Sequence, residues 1–243
     1  MNSKALRETS KQIEDQNGEA DVLSLDCDVS SESSVASAVS ATVAKFGRID
    51  YACNLAGVCI PGSTPEMSMK EFDKLIDVNL RGVWLCQKYQ IEQMLKQEPL
   101  KTNDSLHATR GAIANAASMA GLRGYEALPV YTATKHGVIG LTRADALAFA
   151  KQHIRINAVC PGIIATPMLG ELPKGDSSGD ALLRDVAQGR QGTPEEVAEC
   201  FVWLVSGRAS YVTATTLAVN GGKSEATSPV ETVFSRFIGM VAG

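Results

Sequence analysis

The sequence predicts an α/β fold built on a mainly parallel sheet. Segments of strand character alternate with helical ones along nearly the whole chain. The strand segments are apolar on consecutive residues instead of every second one, as strands buried on both faces are. The 243 residues contain no internal repeat or low-complexity tract, which suits a single domain over 1–243.

Residues 4–16 read as a helix with Leu6 and Ile13 on one face. Val22-Leu23-Ser24-Leu25 reads as a short strand running into Asp28-Val29. Val35, Val39, Val43 and Phe46 recur at helical spacing, and Gly47 follows as a C-terminal cap. Residues 49–54 form the next strand and lead to Ala56-Gly57. Ser68-Met69-Lys70-Glu71 is a capping box that opens a long helix to about Lys96, with Phe72, Leu75, Ile76, Val83, Leu85 and Met94 on its buried side. Residues 97–110 are polar and read as an exposed loop, and 112–116 as a strand. A helix over 130–151 and a strand over 154–159 follow, the strand ended by Pro161-Gly162. Residues 167–192 are mixed, with a helical piece at 181–188. Thr193-Pro194-Glu195-Glu196 starts a helix to Val205, and 215–219 is a last strand before Gly221-Gly222.

The formal net charge is -4 and no basic run exceeds two residues, which argues against nucleic acid as a partner. No apolar stretch approaches the ~18 residues of a membrane span, and the first residues lack an apolar signal core, so a cytoplasmic protein without a membrane partner is expected. The six cysteines show no Cys-x-x-Cys spacing and read as small buried hydrophobes of a reducing compartment. The three histidines lack ligand spacing, so no metal site is expected.

Open parallel sheets bind ligands beyond the carboxyl ends of their strands. Those positions hold Asp28, the run Asn54–Gly57, Ser118 and the run Pro161–Thr166. Tyr131 and Lys135, one helical turn apart, lie thirteen and seventeen residues past Ser118. A free Tyr titrates near ~10 and is a poor base at neutral pH. A neighbouring ammonium can supply the roughly 4 kcal/mol needed to bring it near neutrality, while a Ser hydroxyl holds a substrate oxygen beside the phenol.

These residues resemble the short-chain dehydrogenase/reductase family from about Ala5 to Gly222. The likeness rests on Asp28-Val29, Asn54-x-Ala56-Gly57, Asn79, Ser118, Tyr131-x-x-x-Lys135, Pro161-Gly162-x-Ile164-x-Thr166 and Asn220-Gly221-Gly222, in order and at about the family's spacing. Leu55 stands where the family usually has a second Asn. The resemblance implies a Rossmann-like, doubly wound parallel sheet, and it implies roles. Tyr131 would be the general acid/base. Lys135 would lower its pKa and hold the nicotinamide ribose. Ser118 would polarise the substrate carbonyl, and Asn79 would bend the long helix and position a relay water. Asp28 and Val29 would meet the adenine, and Asn54, Ala56 and Gly57 the adenosine ribose. Pro161, Gly162, Ile164 and Thr166 would line the nicotinamide. The implied cofactor is NADP or NAD, and the implied assembly a homodimer or homotetramer through the helices at 68–96 and 130–151. The implied substrate is a small carbonyl or alcohol, with 167–192 as its lid and 224–243 as a C-terminal extension.

The family's glycine-rich phosphate loop has no counterpart before Asp28, where the only glycine is Gly18. By alignment Met1 falls near the end of the family's second strand, so the fold is expected to be N-terminally truncated, without the first two strands and first helix. Residues 22–25 then lack a sheet partner and 49–54 becomes an edge. Three accounts stand open: a piece of a longer chain, a shortened member that repacks or associates, or a cofactor held across a subunit interface. The residue that chooses between NAD and NADP belongs to the same missing unit. Three functions follow: an NAD(P)-linked oxidoreductase, a non-redox isomerase, dehydratase or cyclase using Ser118, Tyr131 and Lys135, and a non-catalytic subunit.

Overall fold

The computed structural model describes residues 3–16, 18, 21–167 and 183–223. Four strands form one parallel sheet in chain order: β1 (Tyr51–Asn54), β2 (Gly111–Ala116), β3 (Ile154–Pro161) and β4 (Thr216–Val219). The register pairs Asn54 with Asn115, Ala116 with Val159 and Pro161 with Val219, so the strand ends cluster on one edge. β2 and β3 are buried along nearly their whole length, whereas β1 buries only alternate residues. That difference follows from position: the inner strands are covered on both faces, and β1 has one described neighbour.

The helices are α1 (Ser3–Gln16), α2 (Glu32–Phe46), α3 (Met69–Ile76), α4 (Gly82–Leu95), α5 (Pro129–Phe149) and α6 (Pro194–Val205). Their ends are chemically marked. Ser31 caps α2, and Gly47 closes it at φ 81°, donating to Val43 O. Ser68 with Glu71 and Thr193 with Glu196 form reciprocal capping boxes on α3 and α6. α4 and α5 cover one face of the sheet through Ile91, Met94 and Ala146 against Ile113, Ile154 and Ile156. α6 covers the other through Phe201, Leu204 and Val205 against Ala112, Ala114 and Val159. The sheet is thus doubly wound. Each fully buried Ile or Leu of these layers contributes roughly 1.5–3 kcal/mol.

Four expectations change. Residues 22–25 form no strand: ladder hydrogen bonds need a neighbour, and no described strand lies beside them. Phe72 is 39% exposed: in the short α3 only Leu75 is buried, and Phe72 lies off that face. The polar stretch 97–110 is partly interior: Gln97 and Ser105 are buried. The Gln97 amide accepts from Ile49 N at 2.8 Å and donates to Ile49 O and Arg110 O, satisfying backbone groups at the starts of β1 and β2. All six cysteines are free, and only Cys160 is fully buried. Of the proposed lid, 168–182 lie outside the described residues, as do 224–243; the helical piece gives way to turns from Arg184. Among the described residues no helix is long and apolar enough to cross a membrane.

Candidate active site

The carboxyl ends of β1, β2 and β3 open onto a cleft of about 520 Å³. Ser118, two residues past β2, accepts from Ala120 N at 3.1 Å and so caps a single 3-10 turn, Met119–Gly121. Tyr131 and Lys135 project from the first turns of α5, which Pro129 starts. All three residues line the cleft, with Gly57, Pro161, Gly162, Ile164 and Thr166. The remaining wall is mostly apolar, including Leu55, Leu128, Val197 and Phe201.

Lys135 is 3% exposed, and its Nζ donates to Ala116 O at 2.8 Å and lies 5.6 Å from the Tyr131 ring centroid. Burial pulls its pKa down to about 8. Burial also pushes the Tyr131 phenol above its ordinary value, opposed by a hydrogen bond with Ser118. On Tyr131 burial thus outweighs the Ser118 hydrogen bond, while Lys135, one helical turn away, still holds its proton at neutral pH.

Asn79 lies in a π-helical turn, Asp77–Arg81, that interrupts the α3–α4 helix. Its side chain is fully buried and engages both main-chain groups of Val58, accepting from Val58 N and donating to Val58 O, both at 2.8 Å. Asn79 thus fastens the segment after β1 to the helix break. Thr134, which the motifs did not single out, is also fully buried and sits 3.4 Å from Asn79 Nδ2.

Four expected cofactor residues do not line the cleft. Asp28 accepts from Ser30 N and Oγ, and these bonds hold its carboxyl below the usual range. Val29 packs on Gly82, at the start of α4. Ala56 is exposed. The Asn54 amide turns inward to Asn115 and Gln90, in a buried network that continues through Asn115 to Gln87 and Thr142. The strand motif signalled Asn54, but its burial depends on three other amides that no motif announces.

For a nicotinamide nucleotide the fit is specific at one end. A Cβ on Gly57 would stand 3.4 Å from Asn79 Oδ1 and 3.6 Å from Lys135 Nζ, so this cleft-lining glycine lies directly beside the buried ammonium. The ammonium has protons to spare for a ribose hydroxyl. The sequence holds no Gly-x-x-x-Gly-x-Gly segment for the pyrophosphate.

A Ser–Tyr–Lys group with its lysine buried, at the carboxyl edge of a doubly wound sheet, defines an oxidoreductase of the nucleotide-binding α/β class. The family described as Enoyl-(Acyl carrier protein) reductase matches residues 1–224. A 2,5-dichloro-2,5-cyclohexadiene-1,4-diol dehydrogenase of Sphingobium indicum is 38% identical over 198 residues, 81% of this chain and 75% of that protein. The crystal structure of levodione reductase superposes with a TM-score of 0.83 at 35% identity, covering 93% and 86% of the two chains. NADP-bound ElxO gives 0.76 at 32%, covering 90% and 85%. The chain belongs to the short-chain dehydrogenase/reductase family and is an NAD(P)-dependent oxidoreductase.

Proposed function

We propose that the chain interconverts a secondary alcohol and a ketone on a largely apolar, ring-sized substrate, with Tyr131 moving the proton. The observation that carries this is the convergence of Ser118, Tyr131 and Lys135 on one apolar-walled cleft. The diol dehydrogenase relative acts on a six-membered ring, and a cleft of about 520 Å³ suits that size.

In reduction the Ser118 hydroxyl and Tyr131 phenol hold the carbonyl oxygen, and the phenol gives it its proton as the carbon becomes tetrahedral. In oxidation Tyr131 takes the hydroxyl proton back. NADP or NAD, when bound, supplies or accepts the hydride. Lys135 and Gly57 hold its ribose end, with Pro161, Gly162, Ile164 and Thr166 along its nicotinamide. Asp28, Val29, Asn54 and Ala56 are assigned to the adenosine side, beyond the cleft, by the family resemblance alone. Asn79 positions the Gly57–Val58 segment against Lys135. The six free cysteines support a cytoplasmic setting.

Tyr131→Phe tests the reading. Its expected effect is a loss of kcat/KM of about 10²- to 10⁴-fold for alcohol oxidation, with the affinity for NADPH or NADH, measured by calorimetry, within threefold of the native protein. Turnover that survives the change would refute the role of the phenol. Turnover by the native protein without any nucleotide would instead favour a non-redox proton transfer.

A further inference from the structure

The cleft holds a second phenol that the catalytic set does not use. Tyr125 lines the same wall as Tyr131, six residues before it. Its backbone is fixed: Leu128 N–H donates to Tyr125 O at 3.0 Å, and Gly62 N–H donates to Ala127 O at 3.0 Å. The hydroxyl oxygen is shut off from solvent and has no hydrogen-bond partner. Burial raises its pKa, so at neutral pH it carries a proton to donate. Buried polar groups are rarely left unpaired, and one that is calls for an explanation in function.

Arg123 and Asp185 act on Tyr125 from a distance without bonding its hydroxyl, and the cleft wall itself is mostly apolar. Leu128, Met119, Pro167, Val197 and Phe201 line the same cleft, and in the proposed reaction Ser118 and Tyr131 are committed to the reacting oxygen. A substrate with one oxygen leaves the Tyr125 hydroxyl orphaned. One with a second oxygen pairs it as the ring turns toward the cleft. We propose that Tyr125 is a specificity-determining residue that donates a hydrogen bond to an oxygen the substrate carries apart from the reacting one. The cleft thus selects hydroxyketones, diketones and diols over their single-oxygen counterparts. The inference rests on reading the cleft as an alcohol/carbonyl site, and it deepens that reading.

The test is a ligand-observed NMR titration of the full 243-residue chain with cyclohexanone, 3-hydroxycyclohexanone and 4-hydroxycyclohexanone. A site built to pair a buried hydroxyl discriminates by about 5- to 100-fold. At least one hydroxyketone is expected to bind the native protein tighter than cyclohexanone by that factor. In Tyr125→Phe the ratio is expected to fall to about one, with cyclohexanone affinity within twofold of native. Equal affinities for all three ketones, no binding of any, or a preference that persists in Tyr125→Phe would each overturn the proposal. The Tyr131→Phe turnover assay is read separately: Tyr131 can fail as the proton carrier while the Tyr125 ratio stands, and the reverse.

Discussion

At the scale of the residue, Lys135 is a costly side chain to keep charged. It is 3% exposed, its ammonium has a neutral carbonyl as its hydrogen-bond acceptor, and burial holds its pKa at about 8 against an ordinary 10.5. The sign follows from proton counting. Between those values the unfolded chain binds a proton that the folded protein releases, so this group's penalty is fully present below pH 8 and is relieved as pH rises toward 10.5. The shift corresponds to about 3 kcal/mol. In urea denaturation of cofactor-free protein, Lys135→Met is therefore expected to be more stable than the native chain at pH 7, with the gap shrinking by up to about 3 kcal/mol by pH 10.5. A pH-independent gap would mean that water or backbone movement already solvates the ammonium. Ser118, Tyr131 and Lys135 were legible because their chemistry shows in residue type and spacing. Tyr125 and Thr134 were not, because what distinguishes them is an unpaired or shared hydroxyl, which depends on packing.

At the scale of the element, the ends of β3 and β4 are packed backbone to backbone. A Cβ on Gly162 would stand 2.6 Å from Cα and Cβ of Asn220, while Gly162 N–H donates to Val219 O at 3.0 Å. The close neighbour is main chain and cannot swing aside. Gly162→Ala is expected to cost about 1–3 kcal/mol in denaturant unfolding and to raise the substrate KM, because Pro161 and Gly162 form the cleft wall. A change under ~0.5 kcal/mol would show that the two strand ends separate freely. Capping boxes, Gly47 and Pro-started helices could be read locally because their signals lie within four residues. The break at Asp77–Arg81 could not be read locally, since a π-turn leaves the apolar pattern on either side intact; it enters only through the family resemblance, which implies a bend at Asn79. Residues 22–25 show the converse: their strand propensity is real but local, and a strand exists only where a second one supplies the ladder.

At the scale of the whole molecule, the helical face formed by α4 and α5 covers the sheet inside and still presents apolar surface outside. Leu147 on α5 is 74% exposed and Trp84 on α4 is 46% exposed, with the Lys88 ammonium 5.7 Å from the Trp84 ring centroid. A polar outer face is the usual state of a surface helix, and large exposed apolar groups on a helical layer mark an association surface. The family resemblance implies pairing through these same two helices, and self-complementary pairing across a two-fold axis is the commonest way to bury such a face. Light scattering at micromolar concentration is therefore expected to give two or four times the chain mass. Leu147→Glu is expected to shift that mass toward monomer while leaving Ser118, Tyr131 and Lys135 in place, since Leu147 lies outside the cleft lining. A native protein that stays monomeric at those concentrations would refute the association, and an unchanged assembly in Leu147→Glu would move the interface away from the outer end of α5.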